Sequence, residues 1–173
     1  TSGLLLFAKD ERTKDLLQSK WQELVLERTY TAILEGHPKD RRGTIQSWLT
    51  ENEKSMKMSS SPVDNGGLKA VTRFEVIEET SRYSKVLFEL ETGRKNQIRV
   101  HAADVLGHPI VGDKKYGIEE KMKLPLCLWA AELRFAHPIS GKEMVFRVFP
   151  PETEPWTKFD MEKYLGIRIK NIY

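Results

Sequence analysis

Residues 84–101 read SKVLFELETGRKNQIRVH, and this stretch decides the fold. Its first half has an apolar side chain at every second residue, which predicts a strand with one buried face formed by Val86, Phe88 and Leu90. Gly93 then turns the chain, and Asn96 is predicted to cap a helix that Gly107 ends. The helix is expected to bury a stripe formed by Ile98, Ala102, Val105 and Leu106. A strand that leads through a short turn into a helix therefore anchors the predicted fold.

Further strands are predicted on both sides of this stretch. Alternating or continuous apolar runs indicate them at residues 4–8, 29–36, 44–49, 70–77, 126–135 and 144–149. The run at 4–8 is continuous, as in a strand that is buried on both faces. Residues 44–49 are expected to be the hairpin partner of residues 29–36, and a turn at 137–141 to join the last two strands.

Helices are few, and this balance indicates the fold class. Asp10 is predicted to cap a helix that buries Leu17, and residues 155–165 are predicted to form the last helix. Residues 50–67 are polar, which predicts a mobile loop or a long hairpin connection. Because hairpin connections dominate, we predict an α+β fold, a largely antiparallel mixed sheet with packed helices. Regular β-α alternation is lacking, which argues against a doubly wound nucleotide-binding fold.

Composition narrows the possible functions. The 173 residues include 28 Lys and Arg against 25 Asp and Glu, a net charge of +3 that permits nucleic-acid binding without requiring it. No apolar run approaches the roughly 20 residues that span a bilayer. The single cysteine, Cys127, lies in an apolar stretch, which indicates a buried thiol and a reducing compartment. The four histidines lack metal-ligand spacing. We therefore expect a cytoplasmic, metal-free monomer.

Two features carry possible chemistry. Arg94 and Arg99 lie at a predicted helix start, where guanidinium groups bind a substrate phosphate or a catalytic carboxylate through paired hydrogen bonds. A surface helix with ordinary salt bridges would show the same charges. Tyr30 lies in the middle of a predicted strand, where a tyrosine is usually part of the core. Its phenol could instead stack on a base or move a proton.

Five segments, in order, resemble the motifs of the RluA-type RNA pseudouridine synthases. They are TSGLLLFAK at residues 1–9, YTAILEG at 30–36, GRKNQIRVH at 93–101, HPIVGDKKYG at 108–117 and LRFAHP at 133–138. Asn96 stands where the family usually has histidine. The resemblance covers nearly the whole chain and implies the pseudouridine synthase fold over residues 1–173, as a single catalytic domain that is incomplete at its N-terminus.

The resemblance also implies an activity. The family isomerises uridine in structured RNA, here rRNA or tRNA rather than DNA, to pseudouridine without metal or organic cofactor. Its catalytic Asp falls three residues before Thr1, so the chain as given is expected to be inactive. Two other interpretations stay open: a non-catalytic RNA-binding or RNA-folding module of the same fold, and an interaction domain that does not bind RNA.

The family's site residues fall on particular positions of this sequence. The resemblance implies that Tyr30 contacts the target base and is a candidate for proton removal, and that Arg99 pairs with the catalytic Asp. Ile98 is expected to line the uracil pocket. From charge and position alone, the residues expected to contact phosphate are Arg94, Lys95, Lys114 and Lys115. The other residues expected to bind substrate are Asn96, Gln97 and His101.

Overall fold

A computed structural model describes residues 1–117 and 124–163, and the strands of this part form one mixed sheet. The eight strands are β1 (Ser2–Gly3), β2 (Val25–Glu35), β3 (Arg42–Asn52), β4 (Lys57–Ser61), β5 (Leu68–Glu79), β6 (Tyr83–Leu90), β7 (Leu128–Ala136) and β8 (Glu143–Arg147). Their order is β1-β7-β2-β6-β5-β3-β4, and β8 also pairs with β7. Within the described residues every pair of strands is antiparallel except β1 with β7. The predicted fold class is confirmed.

The described helices are short. They are α1 (Glu11–Ser19), α2 (Trp21–Leu24), α3 (Gln97–Val100), a π-helical turn (His101–Val105) that continues α3, and a 3₁₀ turn (Trp156–Lys158). Asp10 caps α1 as predicted, because its side chain accepts a hydrogen bond of 2.8 Å from the backbone N–H of Thr13. The last predicted helix was wrong over its described part. Trp156 and Phe159 are buried, and Phe159 is already extended after the single 3₁₀ turn.

The main core lies between the sheet and α3. Tyr30 faces Phe88 and Ala32 faces Val86 across β2 and β6, so these residues share one face of the sheet. Ala32, Val86 and Phe88 are fully buried in a cluster that also contains Ile98 of α3. Cys127 belongs to the same cluster, as its apolar setting predicted. Burial of this face fixes α3 against the centre of the sheet.

The pairing predicted for residues 44–49 was wrong. β3 pairs with β5 and β4, whereas β2 lies between β6 and β7. β2 is buried at four successive residues, 31–34, so both of its edges and both of its faces are covered. The 50–67 segment is not only a connection, because β4 lies within it and pairs with β3.

The strand predicted at residues 4–8 was also wrong. Only Ser2 and Gly3 pair with β7, opposite Trp129 and Ala130, and the backbone N–H of Leu4 adds one bond to Ala130. The same edge of β7 is occupied by β8 from residue 132 onward, so no partner is left for a longer strand. Leu5 and Phe7 are consequently 75% and 78% exposed.

Candidate active site

Tyr30 and Arg99, the two residues predicted to be catalytic, line one cavity of about 130 Å³. Tyr30 comes from β2 and Arg99 from α3, so the sheet and the helix each supply a wall. This volume is smaller than that of pockets for drug-sized ligands, which makes the cavity suitable for one small ring. Thr1, Leu90, Arg94, Asn96, Gln97, Ile98 and Leu128 complete the lining.

The turn that carries Arg94 is held by Gln97. Its Oε1 accepts hydrogen bonds of 2.9 Å from the backbone N–H of Arg94 and from the hydroxyl of Thr92. Its Nε2 donates to the hydroxyl of Thr72 at 2.8 Å and to the carbonyl of Val71 at 3.0 Å. Both amide hydrogens are thus used inside the chain. Gln97 therefore positions the turn, although it was expected to bind substrate.

Asn96 precedes α3 as predicted but does not cap it through its side chain. Its backbone is left-handed, with φ at 55°, a conformation that asparagine tolerates better than most residues. Its Oδ1 accepts a hydrogen bond of 3.2 Å from Nη1 of Arg99, and its Nδ2 donates to the hydroxyl of Tyr116 at 3.4 Å. Asn96 therefore orients Arg99 at the cavity wall.

Arg99 is held on its other edge by Asp113, a partner that the sequence did not suggest. Nε donates to Oδ2 at 2.8 Å and Nη2 to Oδ1 at 2.6 Å, the paired geometry of a strong ion pair. The backbone N–H groups of Lys115 and Tyr116 also donate to Oδ1 of Asp113. Burial alone would raise the pKa of Asp113, but these hydrogen bonds, led by that from Arg99, lower it below its ordinary value. The sequence signal that could have pointed to this partner is the acid of Gly112-Asp113, within the family-like segment at residues 108–117.

Tyr30 is half-buried and neutral at physiological pH. Burial raises the pKa of its phenol, and the nearby charge of Arg28 offsets only part of that effect. The phenolate form of Tyr30 is therefore disfavoured in this cavity. The phenol can donate a hydrogen bond to a base, whereas proton removal by Tyr30 requires its pKa to fall when substrate binds.

His101 does not contact the cavity, which corrects its assignment to substrate binding. The side chain is fully buried, and its ring nitrogens are hydrogen-bonded to the hydroxyls of Ser47 at 2.9 Å and Thr72 at 2.8 Å. Burial lowers its pKa to about 4. His101 lies two residues after Arg99, so the two side chains point to different sides of the helix. His101 points inward and joins the start of the π-helical turn to β3 and β5.

The basic residues expected to contact phosphate are divided between two places. Arg94 lines the cavity, and its Nε donates to the carbonyl of Lys69 at 3.0 Å. Lys95 pairs with Glu51, and Nζ of Lys115 donates to the carbonyl of Met56. These two lysines are therefore bonded to the segment around the β3–β4 hairpin.

A second cavity, of about 490 Å³, lies on the other side of Arg99. Lys114 is exposed at its wall, opposite the apolar residues Leu124 and Leu126. Over residues 1–117 and 124–163, no three His, Cys, Asp or Glu side chains lie close enough together to hold a metal ion. No helix in that same part is long and apolar enough to cross a membrane.

The fold and the sequence identify the class of protein. The structure of the human RNA Pseudouridylate Synthase Domain Containing 1 superimposes with a TM-score of 0.70, at 26% identity, over 86% of this chain and 64% of that one. Residues 1–104 match the family model for RNA pseudouridylate synthase. The chain thus has a pseudouridine synthase fold, and it belongs to the RluA-type family of RNA pseudouridine synthases.

Three curated relatives show the extent of this similarity. The Uncharacterized RNA pseudouridine synthase YhcT of Bacillus subtilis is 40% identical over 84% of this chain and 48% of its own length. The Ribosomal large subunit pseudouridine synthase D of Zymomonas mobilis is 34% identical over 88% of this chain and 50% of its own. The Dual-specificity RNA pseudouridine synthase RluA of Haemophilus ducreyi is 35% identical over 87% of this chain and 69% of its own. The chain therefore spans about half the length of the first two.

Proposed function

We propose that the complete protein isomerises uridine in structured RNA to pseudouridine, without metal or organic cofactor. The observation that carries this proposal is the meeting of Tyr30, Ile98 and Arg99 around one cavity of a size suited to a single ring. Thr1 lines the same cavity, so a residue a few positions before it would be within the chain's reach of Arg99. The family's catalytic Asp is proposed to act from there.

The chain's own residues have distinct roles in this reaction. The upstream carboxylate attacks C1′ of the nucleoside as the C1′–N1 bond breaks, and the detached uracil turns. Its C5 then bonds to C1′ as the carboxylate leaves, and the C5 proton is lost while N1 takes up a proton. Arg99 keeps that carboxylate ionised and oriented, because a guanidinium favours the charged form of a neighbouring acid. Ile98 packs on the uracil, and Tyr30 contacts it from the sheet. The base must leave its stack to enter the cavity, which costs least in a loop.

A second candidate is a non-catalytic RNA-binding module of the same fold. One observation favours it: Arg99 is already paired with Asp113, so its guanidinium is stable without another carboxylate. Among the residues that the structure describes, no Asp or Glu lines the cavity. This part of the protein alone is accordingly proposed to bind RNA without turnover.

The test compares the complete protein with residues 1–173. Both are incubated with rRNA and tRNA pools labelled with tritium at C5 of uridine, and tritium release is measured. Release by the complete protein only is the expected result if the family's nucleophile acts, as proposed, from before Thr1. The absence of release from either pool, with salt-sensitive RNA binding retained, would establish the second candidate instead. The pool from which tritium is released identifies the substrate class, rRNA or tRNA, in the same assay. We further propose that the protein acts as a cytoplasmic monomer.

A further inference from the structure

Arg28 lies close to Tyr30 and Gly93, beside the cavity that Tyr30 lines, and has no role in the mechanism described above. It precedes Tyr30 by two residues on β2, so both side chains are on the same face of the sheet. Its guanidinium lies over the ring of Trp21, 6.0 Å from the centroid, at the outer limit of a cation–π contact. Its Nη1 also lies against Gly93, where any side chain would begin only 2.5 Å away. Because Gly93 has no side chain, the guanidinium of Arg28 can occupy the space beside it.

Arg28 has no acceptor among the described residues. Neighbouring acids along and across the sheet are paired elsewhere: Glu27 lies 3.8 Å from Arg134, Glu132 is paired with Arg147, and Glu89 lies 3.7 Å from Arg73. Glu27 is adjacent to Arg28 on a strand, so its side chain points to the opposite face. Burial lowers the pKa of Arg28, which measures the cost of keeping this charge partly out of water.

The two arginines that line the cavity, Arg94 and Arg99, differ from Arg28 in this respect. Arg94 donates to the carbonyl of Lys69, and both edges of Arg99 are occupied by Asp113 and Asn96. A half-buried guanidinium with five unused N–H groups is stabilised most by an anion that accepts two hydrogen bonds at once. RNA offers such an anion beside every base. A base that enters the cavity brings its flanking phosphates to the mouth.

We propose that Arg28 binds the backbone phosphate next to the nucleotide whose base enters the Tyr30 cavity. The inference rests on the proposed function for its ligand, an extruded nucleotide of RNA. Arg28 would then bind the backbone from its place beside Trp21, while Tyr30 contacts the base. The contact is to phosphate and so adds affinity for any target sequence.

The test is a double-mutant cycle on the complete protein and a synthetic RNA stem–loop. The stem–loop copies the uridine that the protein modifies; if it modifies none, the stem–loop carries one loop uridine. A second set of RNAs has a neutral methylphosphonate at one or the other phosphate that flanks this uridine. The proteins are the wild type, Arg28→Gln, Arg28→Lys and the control Arg42→Gln, an exposed arginine at the start of β3.

The expected result is a loss of affinity of about 10-fold for Arg28→Gln, the size of a lost charge-assisted contact, with a salt slope flatter by roughly 0.7 to 0.9. Arg28→Lys should retain part of the affinity, and Arg42→Gln nearly all of it. One of the two methylphosphonates should weaken binding by the wild type as much as Arg28→Gln does. Arg28→Gln itself should bind that RNA and the unmodified RNA with the same affinity. If Arg28→Gln does not fold, Arg28→Lys replaces it in the cycle.

Two outcomes would overturn the proposal: unchanged affinity in Arg28→Gln, or additive losses from the substitution and each methylphosphonate. Additive losses would mean that Arg28 acts through Tyr30 or the fold rather than on phosphate. Pseudouridine formation by the wild type is measured separately on the unmodified stem–loop. Its absence would count against the proposed function, whereas the binding cycle decides the Arg28 contact in either case.

Discussion

Arg99 shows how one side chain can serve two purposes at the residue scale. Its Nε and Nη2 hold the buried carboxylate of Asp113, and its Nη1 meets Asn96 at the cavity wall. The pairing with Asp113 already compensates its charge within the fold. Its effect on a further carboxylate therefore depends on where its remaining N–H groups point, which Asn96 controls.

Replacing Arg99 separates catalysis from binding. In the complete protein, Arg99→Ala should lower turnover by at least about 100-fold, as expected when an oriented donor at a reacting group is lost. RNA affinity should change little, because the partners of Arg99 are carboxylates and an amide rather than phosphate. Pseudouridine formation and RNA dissociation constants are measured on the same preparation. Normal turnover by Arg99→Ala would show that the assignment is wrong.

His101 makes stability depend on pH. Its pKa in the folded protein is about 4, below the ordinary 6.5, because the buried ring resists protonation. The unfolded chain therefore binds the proton more readily, and stability is full above about pH 6.5 and lost as the pH falls toward 4. The free energy of unfolding should fall by about 3 kcal/mol across this window. Urea titrations of His101→Gln should show a weaker dependence there; an unchanged profile would contradict the prediction.

At the scale of elements, the loop after the π-helical turn depends on one glycine. Gly112 has φ at 75°, and a side chain there would begin 2.1 Å from the carbonyl oxygen of Pro125. Gly141 has a similar φ of 69° but open space around it. Gly141→Ala should cost about 1 kcal/mol of stability, from the backbone alone. Gly112→Ala should cost at least about 3 kcal/mol, and equal losses of thermal stability in the two variants would refute the steric argument.

Periodicity predicted most strands but not their neighbours. Val86, Phe88 and Leu90 predict β6 because their two-residue spacing is a local pattern, although in the folded protein both faces of β6 are buried. The partner of β3 is set by which strand edges remain open in the complete sheet, which no local pattern records. Residues 4–8 were predicted wrongly for the same reason, since β8 occupies the edge of β7 that a longer β1 would need.

For the candidate site, as for the strands, the sequence predicted some residues but not the contacts between them. Tyr30 and Arg99 were found through the family motifs, and the cavity brings them together. His101 was misassigned because a basic charge at a helix start resembles a surface group, whereas the helix turns it inward. Asp113 was missed because its importance comes from its contact with Arg99, which lies on another element of the fold.

For the whole molecule, RNA binding should depend on salt through a small number of basic side chains. Lys114 is exposed at the second cavity, whereas Lys115 is bonded to Met56 and lies 6.0 Å from the Tyr116 ring. Lys114→Ala should therefore flatten the dependence of log affinity on log salt by roughly 0.7 to 0.9, and Lys115→Ala by less. Lys142→Ala, in the turn before β8, serves as the control. A slope near zero for the wild type would favour an interaction domain that does not bind RNA.

The sheet order also separates the early and late steps of folding. β3 pairs with β4, and β5 with β6, through short connections, whereas β2 must find β6 and then β7 far along the chain. Contacts between distant segments carry the larger loop-closure cost and slow the folding of a domain. Tyr30 lies on β2, the strand between β7 and the strands that pair through short connections. The cavity is therefore expected to close among the last contacts, so an incompletely folded chain would have most of its sheet without a working pocket.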